Sequence, residues 1–302
     1  MVLFVSDRPL GRCENITAIY TAYQGEKQFA QMDGSRSCEA VRNADYKLLI
    51  ADEFVRESKA PVIMIMHGAA GIKRYGTEQP FPYLKPNQSD LLKWVICSSE
   101  ATVELMAKQS GVPREKVLPL GMPRMDNFKP VQGEYYLYCP TFRNRHESQA
   151  PKIDWELINN LLTGGEYLWV KNHMTTGLGE IGNYDHIGQL SPSIPTTPWL
   201  EKCKCLITDY SSILVDAHVM GKPVVLFEKD FDVYQRERGM CRPYPAGYAA
   251  RHTSDERQLV ELIRSADCQL YADLKCKNEL GGACDGHATE RLLKLIEQEV
   301  GW

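Results

Sequence analysis

The sequence predicts an α/β protein with two Rossmann-like domains that face a cleft. Short apolar runs alternate with segments of helical periodicity, which is the pattern of βαβ units and a parallel sheet. A segment rich in glycine and proline, residues 121–133, interrupts this alternation, which then resumes. Hydrophobic residues make up 43% and charged residues 25% of the 302 residues, which is enough apolar content for a sizeable core.

The first half of the chain predicts parallel strands with a helix between several of them. Residues 62–66 are wholly apolar, which is typical of a parallel strand covered on both faces. Ser98 and Ser99 follow a strand and are candidates to cap a helix that ends at Gly111. The predicted elements of this half are strands at 2–5, 46–51, 62–66, 94–97 and 117–120 and a helix at 15–23.

The second half repeats the pattern and ends in an amphipathic helix. Its predicted elements are strands at 135–139, 167–170, 205–208 and 223–227 and helices at 198–203, 212–220 and 288–300. We therefore expect one domain at 1–128 and a second at 129–287, with the C-terminal helix 288–302 able to pack back on the first domain. In such folds, ligands lie outside the carboxyl ends of the strands.

Charge and cysteine usage exclude several classes of function. The net charge of −4 argues against broad nucleic-acid binding. No apolar run approaches the length of a membrane span, and residues 1–7 begin a strand rather than a signal peptide, so we expect any membrane contact to be peripheral. The ten cysteines lack the paired spacing of zinc sites, which predicts reduced, mainly buried thiols in a cytosol and no metal.

Residues 205–223 contain the most informative motif. An apolar strand at 205–208 leads through Asp209 to Ser211 and Ser212, which open a helix that Gly221 suits as its end. Two hydroxyls and several free backbone N–H groups converge at such a helix start, where an anion such as phosphate is favoured. The competing interpretation is ordinary helix capping by a serine.

Two histidines follow predicted strands in a similar way. His67 and Gly68 come directly after the strand at 62–66, and Lys73 adds positive charge nearby. His173 follows the strand at 167–170. An imidazole at a strand end can take a proton from an attacking hydroxyl near neutral pH, and a structural histidine is the alternative.

An arginine-containing segment follows the strand at 135–139. Thr141, Arg143 and Arg145 lie directly after it. Arginine pairs well with phosphate because its guanidinium donates two parallel hydrogen bonds. The alternative is a set of exposed loop arginines.

In order and spacing, these motifs resemble the CDP-glycerol glycerophosphotransferases, the teichoic-acid and capsule polymerases. The resemblance runs from about Val62 to Gly239. Its elements are Met66-His67-Gly68 with Lys73 and Gly76; Ser99-Glu100, Gly111-Val112-Pro113 and Gly121-Met122-Pro123-Arg124-Met125-Asp126; Cys139-Pro140-Thr141-Phe142-Arg143; and Ile207-Thr208-Asp209-Tyr210-Ser211-Ser212 with Asp216, Gly221-Lys222-Pro223, Asp230, Tyr234, Arg238 and Gly239. The family's tryptophan before the first histidine is Met66 here, and its arginine–x–His–proline element is Lys171-Asn172-His173-Met174.

The resemblance implies a glycosyltransferase-B architecture in which the first domain holds the acceptor and the second holds the nucleotide-linked donor. His67 would be the base that activates the acceptor hydroxyl, with Gly68 and Lys73 on the acceptor side. The donor's phosphates and nucleotide would be held by a larger set, namely His173, Thr141, Arg143, Asp209, Ser211, Ser212 and Arg238. In-line displacement would move glycerol phosphate, or a related alditol phosphate, from a CDP-linked donor to a polymer or glycan hydroxyl and release CMP, without a metal or other cofactor.

Three functions remain open on the sequence. The first is this transfer, carried out in the cytoplasm. A membrane-anchored acceptor and peripheral contact with the inner face of the membrane are both compatible with the sequence. The second is a sugar-nucleotide-dependent glycosyltransferase or epimerase of the same fold, acting on a soluble acceptor or on modified nucleic acid. The third is a binding protein that keeps the donor pocket without turnover, against which the presence of both His67 and His173 argues.

Overall fold

The chain forms two compact units, each built on its own parallel sheet. The computed structural model describes residues 1–66, 68, 71–74, 89–129, 131, 133–143, 151–173, 179–248, 250–265 and 274–301. Unit 1 comprises Met1–Phe128 with Asn278–Trp302, and unit 2 comprises Lys129–Lys277. The predicted α/β class with two parallel-sheet domains is confirmed.

The elements alternate along the sequence as strands and helices. In chain order, the strands are β1 (Val2–Ser6), β2 (Lys27–Gln31), β3 (Leu48–Ala51), β4 (Val62–Ile65), β5 (Leu92–Ile96), β6 (Val117–Leu118), β7 (Tyr135–Cys139), β8 (Leu168–Lys171), β9 (Ile187–Leu190), β10 (Cys203–Thr208), β11 (Val224–Phe227) and β12 (Arg251–Thr253). The helices are α1 (Glu14–Ala22), α2 (Glu39–Asn43), α3 (Val103–Ser110), α4 (Trp155–Leu161), α5 (Thr197–Lys202), α6 (Ile213–Val219), α7 (Phe231–Glu237), α8 (Glu256–Arg264), α9 (Leu274–Gly281) and α10 (Ala288–Val300). No helix within these described residues is both long and apolar enough to cross a membrane.

Unit 1 contains a six-stranded sheet in the order β2-β1-β3-β4-β5-β6, with every neighbouring pair parallel. Every residue of β1, β3 and β4 is buried, which explains why these strands are continuous apolar runs rather than alternating patterns. The strand order reverses between β1 and β3, so the switch point of this sheet lies beyond their carboxyl ends.

Unit 2 has the order β12-β11-β10-β7-β8-β9, again with parallel neighbours. Numbered within the unit, this is the doubly wound order 6-5-4-1-2-3, whose switch point lies between β7 and β10. All residues of β7 and β11 are buried, and only Lys204 of β10 is exposed. The crevice outside the carboxyl ends of β7 and β10 is the expected place for a ligand.

The segment before the C-terminal helix belongs to unit 1. From the sequence, residues 278–287 were expected in the second domain, and Ser98 and Ser99 were expected to cap a helix. In the structure, the Ser98 hydroxyl donates to the carbonyl of Leu280, and the Ser99 hydroxyl donates to that of Glu279. Neither hydroxyl caps a helix. These two serines instead fix residues 279–280 to the end of β5, which explains why the segment packs with unit 1.

Candidate functional site

Three adjacent strands of unit 2 end at one edge of the sheet, and each carries predicted site residues there. Thr208 of β10 pairs with Cys139 of β7, and Tyr138 of β7 pairs with Val170 of β8. The segments that follow these strands therefore begin at nearly the same level along the strand direction. They contain residues 209–212, 141–143 and 172–173.

Asp209 is the buried centre that joins the first two segments. Its side chain is 1% exposed. Its Oδ1 accepts the backbone N–H of Thr141 at 2.8 Å and that of Tyr210 at 2.6 Å. Burial raises the pKa of the Asp209 carboxyl, although the Arg143 guanidinium and the backbone N–H groups oppose this shift. Asp209 thus ties the end of β10 to the end of β7.

Arg143 lies between two carboxylates and is 4% exposed. Its Nη2 donates to Asp209 Oδ2 at 2.9 Å and to Asp230 Oδ1 at 2.9 Å, while Nε donates to Asp230 Oδ2 at 2.6 Å. Nη1 donates to the Thr141 carbonyl at 2.9 Å. The interpretation of Arg143 as an exposed loop arginine is therefore wrong.

The surroundings of Arg143 strongly favour the charged form of its guanidinium. Burial alone would lower the pKa of Arg143, but the carboxylates of Asp209 and Asp230 outweigh it and raise the pKa. The guanidinium carbon also lies 5.1 Å from the ring centroid of Tyr210 and 5.3 Å from that of Tyr234. Such a fully engaged arginine acts as a clamp on the strand ends.

Asp230 and Tyr210 complete this clamp, and neither was assigned a site role from the sequence. Asp230 occupies the position before α7 without capping that helix, because its carboxylate accepts from Arg143 and from the Tyr210 hydroxyl at 3.0 Å. The Tyr210 ring stacks on that of Tyr234 with centroids 4.1 Å apart. The start of α7 is thereby fixed to the ends of β7 and β10.

Arg238, at the other end of α7, is in a very different environment. It is 8% exposed, and among the residues that the structure describes its buried Nε has no hydrogen-bond partner. Its guanidinium carbon lies 5.0 Å from the ring centroid of Phe142. A buried charge without an opposite charge is costly, so such a cation marks a place that favours an anion.

Phe142 also contacts His173, with ring centroids 5.1 Å apart. The ring thus joins the end of β8 to the end of α7. Phe142 lies within the Cys139–Arg143 motif, but no role for it was predicted from the sequence. The sequence signal for a role was the position of this aromatic residue between Thr141 and Arg143, two predicted site residues.

Ser211 and Ser212 precede α6, which begins at Ile213 and is followed by Gly221 with a φ of 71°. Ser212 is the N-cap residue, but its hydroxyl makes no capping hydrogen bond. The Ser211 hydroxyl accepts the N–H of Ile213 at 3.4 Å, which is long for a hydrogen bond. Capping therefore accounts poorly for the pair, because Ser212 makes no capping bond and Ser211 makes only a long one.

The predicted acceptor-side residues follow β4 in unit 1. His67 lies outside the described residues. Gly68 is partly buried, and the Lys73 carbonyl accepts Gln109 Nε2 at 3.4 Å. Just before them, the carbonyl of Met66 accepts Asn15 Nδ2 at 2.8 Å, which fixes the end of β4 to α1.

The switch point of unit 1 holds a buried carboxyl that sequence analysis did not identify. The Ser6 hydroxyl, at the end of β1, donates to Asp52 Oδ2 at 2.9 Å. Asp52 directly follows β3 and is 1% exposed. Burial raises its pKa to about 7, although the hydrogen bond from Ser6 opposes the shift.

The described ranges contain no candidate metal centre. Within them, no group of three or more histidine, cysteine, aspartate or glutamate side chains is placed to hold a metal ion. The site in unit 2 is instead built from one arginine clamp, one buried arginine, hydroxyls and aromatic rings.

These features define a two-unit α/β protein whose second unit has an anion-favouring edge at the switch point of a doubly wound sheet. The sequence model of the CDP-glycerol:poly(glycerophosphate) glycerophosphotransferases matches residues 18–298. The chain belongs to this family. It is therefore a transferase that uses a CDP-linked alditol donor.

Individual relatives agree with the family assignment. A teichoic acid glycerol-phosphate primase of Bacillus subtilis (strain 168) is 24% identical over 286 residues, covering 85% of this chain and 73% of the relative. The solved structure of the wall teichoic acid polymerase TagF superposes with a TM-score of 0.78 at 16% identity, covering 100% of this chain and 89% of the chain in that structure.

The fold also occurs in sugar-nucleotide enzymes. A UDP-GlcNAc 2-epimerase from Neisseria meningitidis, solved with UDP-GlcNAc bound, superposes with a TM-score of 0.60 at 13% identity, covering 99% of this chain and all of the epimerase. This similarity supports the expected glycosyltransferase-B-like architecture.

Proposed function

We propose that the chain transfers glycerol phosphate from CDP-glycerol to a hydroxyl of a teichoic-acid-like polymer and releases CMP, with the donor's diphosphate bound at the strand-end edge of unit 2. The observation that carries this assignment is Arg238, a buried guanidinium without an anionic partner among the described residues. Family membership supplies the class of donor.

The Arg143 clamp and the buried Arg238 have separate roles in this proposal. Arg143 is neutralised by Asp209 and Asp230, so it shapes the donor site and leaves the diphosphate to other groups. Arg238 and the Ser212 hydroxyl are the groups available for charge-assisted hydrogen bonds to phosphate oxygens. Thr141 is held through its backbone by Asp209 and would line the nucleotide.

The two histidines have separate roles in this proposal. His67, which follows an apolar strand in the sequence, would take the proton from the acceptor hydroxyl, a role that an imidazole can fill. His173, whose ring packs on Phe142, would support the donor's phosphates as charge develops on the departing CMP. Gly68 and Lys73 would lie on the acceptor side.

No metal is part of the proposed mechanism. Negative charge that develops in the transition state would be met by Arg238, His173 and hydrogen-bond donors that are already in place. Turnover should therefore persist in a chelator. Complete loss of activity that Mg²⁺ or Mn²⁺ restores would contradict this part of the proposal.

The acceptor and its location are proposed from the relatives. The relatives named for primase and polymerase reactions in teichoic acid synthesis point to a polymer acceptor, which a membrane anchor would present at the inner face of the membrane. We propose a cytoplasmic protein with peripheral contact at that face.

Binding and turnover with a matched set of nucleotides would test the donor assignment. We expect CDP-glycerol and CMP to bind more tightly than UDP-GlcNAc and UMP, and CMP to appear only when an acceptor is present. Equal or tighter binding of UMP would contradict CDP-glycerol as the donor and favour the sugar-nucleotide alternative.

Two variants would separate the two halves of the proposed mechanism. His67→Ala should lower turnover by about 10²–10⁴-fold while the affinity for CDP-glycerol changes little, because a general base acts mainly in the transition state.

Ser211→Ala with Ser212→Ala should weaken CDP-glycerol binding by about tenfold or more. A double serine variant that loses melting temperature and keeps donor affinity would assign both serines to helix capping alone.

A further inference from the structure

We propose that Phe142 is a positioning residue that holds the Arg238 guanidinium in place for the donor's diphosphate. This inference rests on the proposed donor site. Phe142 would affect donor binding by positioning Arg238 rather than by contacting the donor itself.

The geometry brings together residues from separate elements. Phe142 follows β7, Arg238 ends α7 and His173 follows β8. The Phe142 ring lies 5.0 Å from the Arg238 guanidinium carbon and 5.1 Å from the His173 ring. One aromatic ring therefore contacts both a buried cation and an imidazole at the proposed phosphate site.

The backbone directly before Phe142 is anchored. The N–H of Thr141 donates to Asp209, and the Thr141 carbonyl accepts from Arg143. The Arg143 side chain in turn holds the carboxylate of Asp230 at the start of α7. Since Arg238 ends the same helix, the clamp fixes both the ring and the helix that carries the guanidinium.

An aromatic partner suits Arg238 better than a carboxylate for binding phosphate. A carboxylate would neutralise the guanidinium and occupy its N–H groups, as Asp209 and Asp230 do for Arg143. A ring face attracts the cation without accepting strong hydrogen bonds from its edge, and the attraction grows when water is excluded. Arg238 can thus remain buried, and no other group among the described residues takes up its Nε–H, which is left to donate to a phosphate oxygen.

A double-mutant cycle distinguishes this role from direct stacking of Phe142 on the nucleotide. Phe142→Leu removes the ring, Phe142→Trp retains an aromatic face, and Arg238→Ala removes the cation. We expect Phe142→Leu to weaken CDP-glycerol binding about tenfold and Phe142→Trp to stay within about threefold of the parent protein. In the Arg238→Ala background, Phe142→Leu should cause no further loss.

A loss of similar size in both backgrounds would overturn the proposal, because Phe142 would then contact the donor independently of Arg238. Unchanged affinity in Phe142→Leu would overturn it as well. The ring is only partly buried, so we expect both Phe142 variants to fold. Matching circular dichroism spectra and urea midpoints would confirm that they do.

A second measurement needs no ligand and separates this inference from the proposed function. In protein with ¹⁵N-labelled arginine, the Nε–H signal of Arg238 is assigned by its loss in Arg238→Lys. We expect slow exchange and a ring-current shift in the parent protein, both lost in Phe142→Leu and kept in Phe142→Trp. An unchanged signal in Phe142→Leu would overturn the positioning role even if CDP-glycerol binds. Failure of the parent protein to bind CDP-glycerol, with the signal behaving as expected, would instead contradict the donor assignment.

Discussion

Replacing Arg143 with alanine should destabilise unit 2 rather than merely weaken donor binding. The guanidinium lies between Asp209 and Asp230, with donor–acceptor distances of 2.6–2.9 Å. Its removal leaves the Asp209 carboxylate, 1% exposed, without a counter-charge. Breaking a buried pair in this way costs about 3–5 kcal/mol, a large part of the roughly 5–15 kcal/mol that stabilises a typical domain.

Urea unfolding followed by tryptophan fluorescence suits this test, because Trp155, Trp169 and Trp199 all lie in unit 2. The matched control is Arg143→Ala combined with Asp209→Asn, which removes both charges and should recover at least half of the lost stability. Arg143→Lys should lie between, since an ammonium keeps the charge but lacks the planar fork. If Arg143→Ala unfolds within about 1 kcal/mol of the parent protein while losing donor affinity, Arg143 binds the donor directly and the clamp interpretation fails.

Two further predictions concern unit 1. Asp52→Asn should stabilise the protein at pH 8 by up to about 4 kcal/mol and should have little effect at pH 4. Burial raises the pKa of Asp52 from 3.8 to about 7, so the free energy of unfolding of the parent protein falls as the pH rises between these values. An equal effect of the substitution in urea unfolding at both pH values would contradict the raised pKa. Gly121→Ala should cost more than about 2 kcal/mol, since a Cβ at this φ of +89° would lie 2.2 Å from the Ala283 carbonyl oxygen. Gly11→Ala, with a φ of +92° and open space around it, should cost only about 1–2 kcal/mol by the same measurement, and equal losses would rule out the steric explanation.

The strands that carry the site could be predicted from the sequence because they are buried on both faces. β4, β7 and β10 are nearly continuous apolar runs, so their ends, and the residues that follow them, were placed to within a residue or two. The resemblance to the family assigned Asp209 and Thr141 to one donor-binding set. In the structure the Thr141 N–H donates to Asp209, because the parallel strands that precede these residues end at the same edge of the sheet.

Elements with mixed exposure were not predictable in this way. β2 has no fully buried residue, and β9 and β12 lie at the edges of the second sheet, so none of them shows a clear apolar pattern. Long-range pairing escaped prediction for a different reason. Asp230 lies 87 residues from Arg143, and only the folded chain shows that Arg143 has carboxylate partners while Arg238 has none among the described residues.

The structure of the protein in complex with CDP-glycerol would test the central claim most directly. We predict that an oxygen of the diphosphate lies within about 3 Å of the Arg238 guanidinium, beyond the carboxyl ends of β7, β8 and β10, while Arg143 keeps its bonds to Asp209 and Asp230. A diphosphate bound at Arg143, or elsewhere in unit 2 with Arg238 in contact with Phe142 alone, would contradict the account.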